Sequence, residues 1–75
     1  MTLYPHPVIC ERITEVWRRS GLTAEQFAHK IGAHDRKTIY RIRDGLSEPR
    51  ATMVRKICVE FKVSPEWLLG LRRKE

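Results

Sequence analysis

Apolar positions along this chain recur every three to four residues, the period of one face of a helix. Val8 or Ile9, then Ile13, Val16 and Trp17 form the first stripe, and Gly21 ends it. Thr23 and Gln26 stand in the relation of a capping box, in which the hydroxyl accepts from the Gln26 amide and the Gln26 side chain reaches back. They open a short helix with Phe27, Ala28 and Ile31 on its inner face, closed at Gly32. Asp35 is a good N-cap for a third helix, with Ile39 and Ile42 inside and Gly45 at its C-terminal end. A loop from Leu46 to Pro49 leads to a fourth helix carrying Val54, Ile57, Cys58 and Phe61 at i, i+3, i+4 and i+7. Ser64-Pro65, an N-cap followed by proline at the first helical position, marks a fifth start, with Trp67, Leu68 and Leu69 following. No segment alternates with the period of two that a strand needs. The pattern predicts an all-α domain of about five short helices over residues 8–71, with an extended arm at 1–7 and a basic tail at 72–75.

Composition narrows the functions open to such a domain. Seventy-five residues make a single small domain, and at this size folding buries only about 60% of the chain's surface. A closed catalytic pocket does not fit easily into so little interior, and the chain has no Ser-His-Asp set, paired carboxylates or phosphate-binding loop. A non-enzyme with no cofactor is expected. Lys and Arg number 15 against 9 Asp and Glu, a formal net charge of +6, which points to a polyanionic partner, nucleic acid before acidic membrane. Cys10 and Cys58 sit among apolar residues, too few for a disulfide framework and without the spacing of a zinc site. They read as free, buried cysteines in a reducing cytoplasm. His6, His29 and His34 show no metal-ligand spacing either. No stretch approaches 18 apolar residues, and residues 1–7 lack the basic and apolar regions of a signal peptide. A cytoplasmic protein without membrane contact is expected.

Two helices joined by a short glycine-containing turn make a helix-turn-helix, and here the residues become specific. The run from Arg18 to Gly32, RRSGLTAEQFAHKIG, resembles the opening of the repressor/Cro, or Xre-type, helix-turn-helix family. Thr38-Ile39-Tyr40-Arg41-Ile42-Arg43-Asp44-Gly45 resembles that family's recognition helix, and Pro49 through Leu69 its last two helices. The resemblance covers residues 9–70. It implies a lambda-repressor-like fold and a sequence-specific transcriptional regulator, a repressor first of all, that inserts its third helix into the major groove of double-stranded DNA. Such modules usually bind as two-fold dimers on pseudo-palindromic operators. The alternative is an antitoxin or other regulator whose main partner is a protein, with DNA binding secondary.

The charge pattern supports the same face independently. Arg36, Lys37, Arg41 and Arg43 put four of the 15 basic residues into eight positions without an acid among them until Asp44. Carried over from the family, Arg36, Lys37 and Arg41 are the expected base contacts, with Thr38 and Tyr40 beside them. The amides at the start of the second helix, Thr23 through Glu25, are the expected phosphate site. The family commonly has a glutamine where Ala24 stands, so only backbone and Thr23 can serve there. Lys30, Arg43 and Arg50 are further phosphate candidates. A solvated surface is the plain alternative for each charge, and capping alone is a sufficient role for Thr23.

The chain also departs from the family pattern. The turn Gly32-Ala33-His34-Asp35 is one residue longer than usual, and Asp35 brings a negative charge near the phosphates. Arg50 stands where a serine cap is usual and Lys62 where a glycine usually ends the fourth helix, each costing a few tenths to about 1 kcal/mol. Trp17 and Arg43 occupy positions at which the family often has an arginine–glutamate ion pair. A Trp17–Arg43 stack in its place predicts a cation–π contact of about 0.5–2 kcal/mol. Finally, Trp67, Leu68, Leu69 and Leu71 crowd four large apolar residues into five positions. One or two of them are expected to stay exposed and to form the interface of a weak homodimer.

Overall fold

The structure, a computed structural model, describes residues 7–71. The expected basic tail and the arm, Pro7 apart, lie outside the described residues. Five helices run in order: α1 (Val8–Ser20), α2 (Ala24–Ile31), α3 (Arg36–Arg43), α4 (Ala51–Phe61) and α5 (Pro65–Leu68). Among the described residues there is no strand. Local chemistry sets the boundaries. Thr23 and Gln26 form the complete capping box, with Gln26 N donating to Thr23 Oγ1 at 3.1 Å and Thr23 N to Gln26 Oε1 at 3.0 Å. Asp35 Oδ1 accepts from Thr38 N at 3.3 Å, and Ser64 Oγ from Glu66 N at 3.2 Å. Arg50 caps α4 with no side-chain hydrogen bond, as the departure from a serine predicts.

The apolar stripes close one core. Cys10, Ile13 and Val16 of α1 meet Phe27, Ala28 and Ile31 of α2, Ile39 and Ile42 of α3, Ile57 of α4 and Leu68 of α5. Helix α2 packs on α3 and α4, while α1 packs on α3 and α5. Through this core runs a row of rings. Phe61 lies 5.2 Å from Phe27, Phe27 6.4 Å from Trp17, and Trp17 6.2 Å from Tyr40, all tilted rather than stacked. Four helices are joined by it, each tilted pair contributing about 0.5–1.5 kcal/mol beyond its buried area. The Trp17 indole N–H is satisfied within the fold, donating to Leu22 O at 2.9 Å. No buried side-chain nitrogen or oxygen of the described residues lacks a partner.

Two helix ends turn the chain with different residues in the left-handed position. Helix α3 finishes in a Schellman motif, with Gly45 N donating to Ile42 O at 3.0 Å and Leu46 N to Arg41 O at 2.8 Å. Gly45 takes φ +76° there, a conformation glycine adopts without strain. The reversal returns Ser47 to α1, where Cys10 Sγ donates to Ser47 O at 3.3 Å. Helix α4 ends instead on Lys62, the one described non-glycine residue with positive φ, at 56°. An L-residue with a side chain is crowded there, because Cβ approaches its own carbonyl.

Lys62→Gly should therefore raise unfolding stability by about 0.5–1 kcal/mol, since an exposed lysine gives up strain and little packing. Gly70→Ala should lower it by more than about 1 kcal/mol, because Gly70 has φ +80° and an added Cβ would lie 2.9 Å from Val8 Cγ1. Urea unfolding followed by circular dichroism measures both. Equal losses at the two sites would contradict the assignment of strain to Lys62.

Candidate nucleic-acid interface

The rotation of α3 is set by its two isoleucines. Ile39 and Ile42 are 2% and 1% exposed and lock one side of the helix into the core. Arg36, Lys37, Tyr40, Arg41 and Arg43 are therefore exposed, and Thr38 is half-buried. Of the expected base contacts, Arg36, Lys37 and Arg41 stand on the outer surface together. Thr38 is committed through its backbone N–H to the Asp35 cap. Arg41 is held by the loop after α3, its Nε donating to Ser47 Oγ at 3.2 Å.

Tyr40 and Arg43 are arranged otherwise than the sequence predicts. The Arg43 guanidinium lies 5.1 Å from the centroid of the Tyr40 ring, not on Trp17. Its Nε and Nη2 also meet the Asp44 carboxylate at 2.9 and 3.4 Å. The reason is local. Tyr40 is three residues earlier on the same helix, a spacing that brings side chains together, and its ring stands against Trp17. Tyr40 thus has both the indole and the guanidinium as neighbours, and the guanidinium settles on the ring of its own helix. The Asp44 hydrogen bond and charge raise the Arg43 pKa further above its ordinary value, so the cation stays charged, but its charge faces a carboxylate. Tyr40 carries out a spacer's role between α1 and α3 while remaining 37% exposed at its surface.

At the start of α2, the capping box itself consumes the Thr23 amide. The anion site expected of Thr23 through Glu25 accordingly shrinks to the amides of Ala24 and Glu25, which as first-turn donors have no carbonyl within the helix to reach. Ala24 is 6% exposed and belongs to the core, so its methyl is not available to a phosphate. The Thr23 hydroxyl accepts from Gln26 and keeps its own hydrogen to donate. Lys30 and Arg50 are exposed, at the last turn of α2 and the cap of α4. Arg18, which sequence reasoning passed over, lines a cleft of about 350 Å³ with Glu11, Thr14 and Arg43 between α1 and α3. Only the adjacent basic pair Arg18-Arg19 hinted at it, and Arg19 is taken by Glu15 at 2.5 Å.

The C-terminal apolar set divides sharply. Leu68 is fully buried and belongs to the core, which removes it from any interface. Trp67 is half-buried. The Arg12 guanidinium lies 5.0 Å from its ring centroid, and Arg12 Nη1 donates to the Trp67 carbonyl. Leu69 and Leu71 are 46% and 77% exposed, two of the four, as expected. The Cys10 thiol is buried and that of Cys58 half-buried, and both cysteines are free. Burial raises the pKa of each, with Glu48 and Glu11 adding to the rise at Cys10, so both remain protonated thiols near neutrality. Among the described residues no group of histidine, cysteine or carboxylate side chains is placed to hold a metal ion, and no helix is long and apolar enough to cross a membrane.

The helix-turn-helix family matches residues 17–68, from the end of α1 to the end of α5. No curated protein and no solved structure matches the chain. The matched span contains the capped α2, the glycine turn, the exposed basic α3 and the Ser64-Pro65 start of α5. The chain belongs to the repressor/Cro-like, Xre-type helix-turn-helix family of DNA-binding regulators.

Proposed function

We propose that this protein is a sequence-specific transcriptional repressor that reads double-stranded DNA with α3 in the major groove. The observation that carries the reading is the outward cluster of Arg36, Lys37 and Arg41 on a helix whose opposite side is locked by Ile39 and Ile42. A major groove admits a helix, and arginine forks there reach guanine O6 and N7. Arg36, Lys37 and Arg41 are the base-reading residues, with Thr38 and Tyr40 at the margin of the contact. Phosphates are held by the Ala24 and Glu25 amides, the Thr23 hydroxyl, Lys30 and Arg50, and by Arg43 where a phosphate displaces Asp44. Each half-site is bound by one copy of a weak homodimer that pairs through Leu69, Leu71 and the edge of Trp67, on a pseudo-palindromic operator. Two linked half-sites multiply modest affinities through effective concentration. The protein acts in the cytoplasm, without a cofactor and without catalysis.

Three outcomes are expected. Duplex binding should fall steeply with salt, with a log–log slope of about −0.9 for each phosphate neutralised; a flat response would indicate a protein partner instead. Arg36→Ala should cost about 1–3 kcal/mol and flatten preference at one base pair per half-site in a selection from random duplexes. A loss uniform over all sequences would make Arg36 a phosphate contact. Sedimentation should show wild type forming dimers on operator DNA and Leu71→Glu failing to do so. One-to-one binding by wild type on a non-palindromic site would rule the dimer out.

A further inference from the structure

The loop after α3 holds a contact that a recognition helix acting alone would not need. Ser47 is gripped from two sides. Its carbonyl accepts from the Cys10 thiol of α1, a side chain with no exposed surface. Its hydroxyl accepts from Arg41 Nε at 3.2 Å. The Schellman end of α3 sets the distance between them, because the bonds from Gly45 and Leu46 back to Ile42 and Arg41 turn the chain over the last turn of the helix. Ser47 is therefore anchored to the core at its backbone while its side chain reaches the base of the Arg41 guanidinium.

A guanidinium has five N–H donors in a planar fork. It can meet the two acceptors of guanine side-on, through Nε and one Nη, or end-on, through both Nη nitrogens. With Nε committed to Ser47, the side-on approach is closed and the two Nη groups are the pair of donors left to meet a base. A long, exposed arginine otherwise loses rotamer freedom when it binds, and an anchor on Nε removes part of that loss before DNA arrives.

We infer that Ser47 is the positioning residue for base recognition, holding Arg41 so that its two Nη groups read a guanine end-on in the major groove. The inference rests on the proposal that α3 reads DNA and deepens it, because it commits Arg41 to a guanine and gives a loop residue outside the recognition helix a share in specificity.

The test compares wild type, Ser47→Ala, Ser47→Thr and Arg41→Ala in a selection from a random duplex library, with salt titrations and with the ¹⁵Nε–H signal of Arg41 recorded without DNA. Arg41→Ala should flatten one position per half-site at which wild type prefers guanine. Ser47→Ala should weaken preference at that same position roughly two- to tenfold, the range of one net hydrogen bond, and leave the other positions and the salt slope unchanged. Ser47→Thr, which keeps the hydroxyl, should retain the preference. The Arg41 Nε–H should exchange more slowly with solvent in wild type and Ser47→Thr than in Ser47→Ala. Should Arg41→Ala flatten its position while Ser47→Ala changes nothing there, the positioning role falls and the base-reading role stands. A uniform loss with a shallower salt slope in Ser47→Ala would make Ser47 a phosphate contact and overturn the inference. If Arg41→Ala flattens no position, or one without guanine, the assignment of Arg41 to a guanine fails and the inference with it, while the Nε–H exchange still reports whether Ser47 holds the side chain.

Discussion

The burial of Ile39 and Ile42 is the constraint on which the surface of this protein depends. A helix of eight residues has no means of holding its own rotation, and isolated helices this short are marginal in water. Two β-branched side chains inserted between α1 and α2 supply the missing restraint. Once they are fixed, the 3.6-residue period turns Lys37 and Arg41 directly outward and sets Arg36 at their flank. The placement of the cations is a consequence of apolar packing rather than of any attraction among them, since like charges this close repel. What reconciles them is the solvent, and on DNA the phosphates.

The second constraint is the row of rings from Phe61 through Phe27 and Trp17 to Tyr40, which ties the helix-turn-helix pair to α1 and α4. In relatives with an arginine and a glutamate at the positions of Trp17 and Arg43, an ion pair would hold α1 to α3. Here an aromatic contact does so, and the arginine lies over the Tyr40 ring. An aromatic contact carries no net charge and is little affected by salt, whereas an exposed ion pair is screened. The link between α1 and α3 is thus independent of the ionic conditions to which DNA binding itself is sensitive.

Much of the fold was legible in the chain because it is written in local chemistry. The Thr23–Gln26 box, Asp35, Ser64-Pro65 and the glycine stops need only their immediate neighbours, so helix starts and ends followed from spacing. The outward cluster was legible for the same reason, being the complement of Ile39 and Ile42. What escaped depended on three-dimensional approach. That Arg43 lies on Tyr40 rather than Trp17 turns on which ring stands nearer. Leu68 and Leu69 exchange core and solvent at the end of α5, a helix of four residues too short to show a stripe. The contacts of Ser47 and Arg12 depend on the chain reversing over α3 and on α1 packing on α5, neither of which any spacing records.

If α3 and the start of α2 form the surface that DNA meets, backbone amide chemical shifts followed by NMR during titration with duplex DNA test it most directly, because each described residue reports for itself. The largest changes are expected at Arg36 to Arg41, at Ala24 and Glu25, and at Ser47, with little change at Val59 on the exposed side of α4. Changes concentrated on α4, or none at all at salt low enough for a basic protein to bind any duplex, would contradict it.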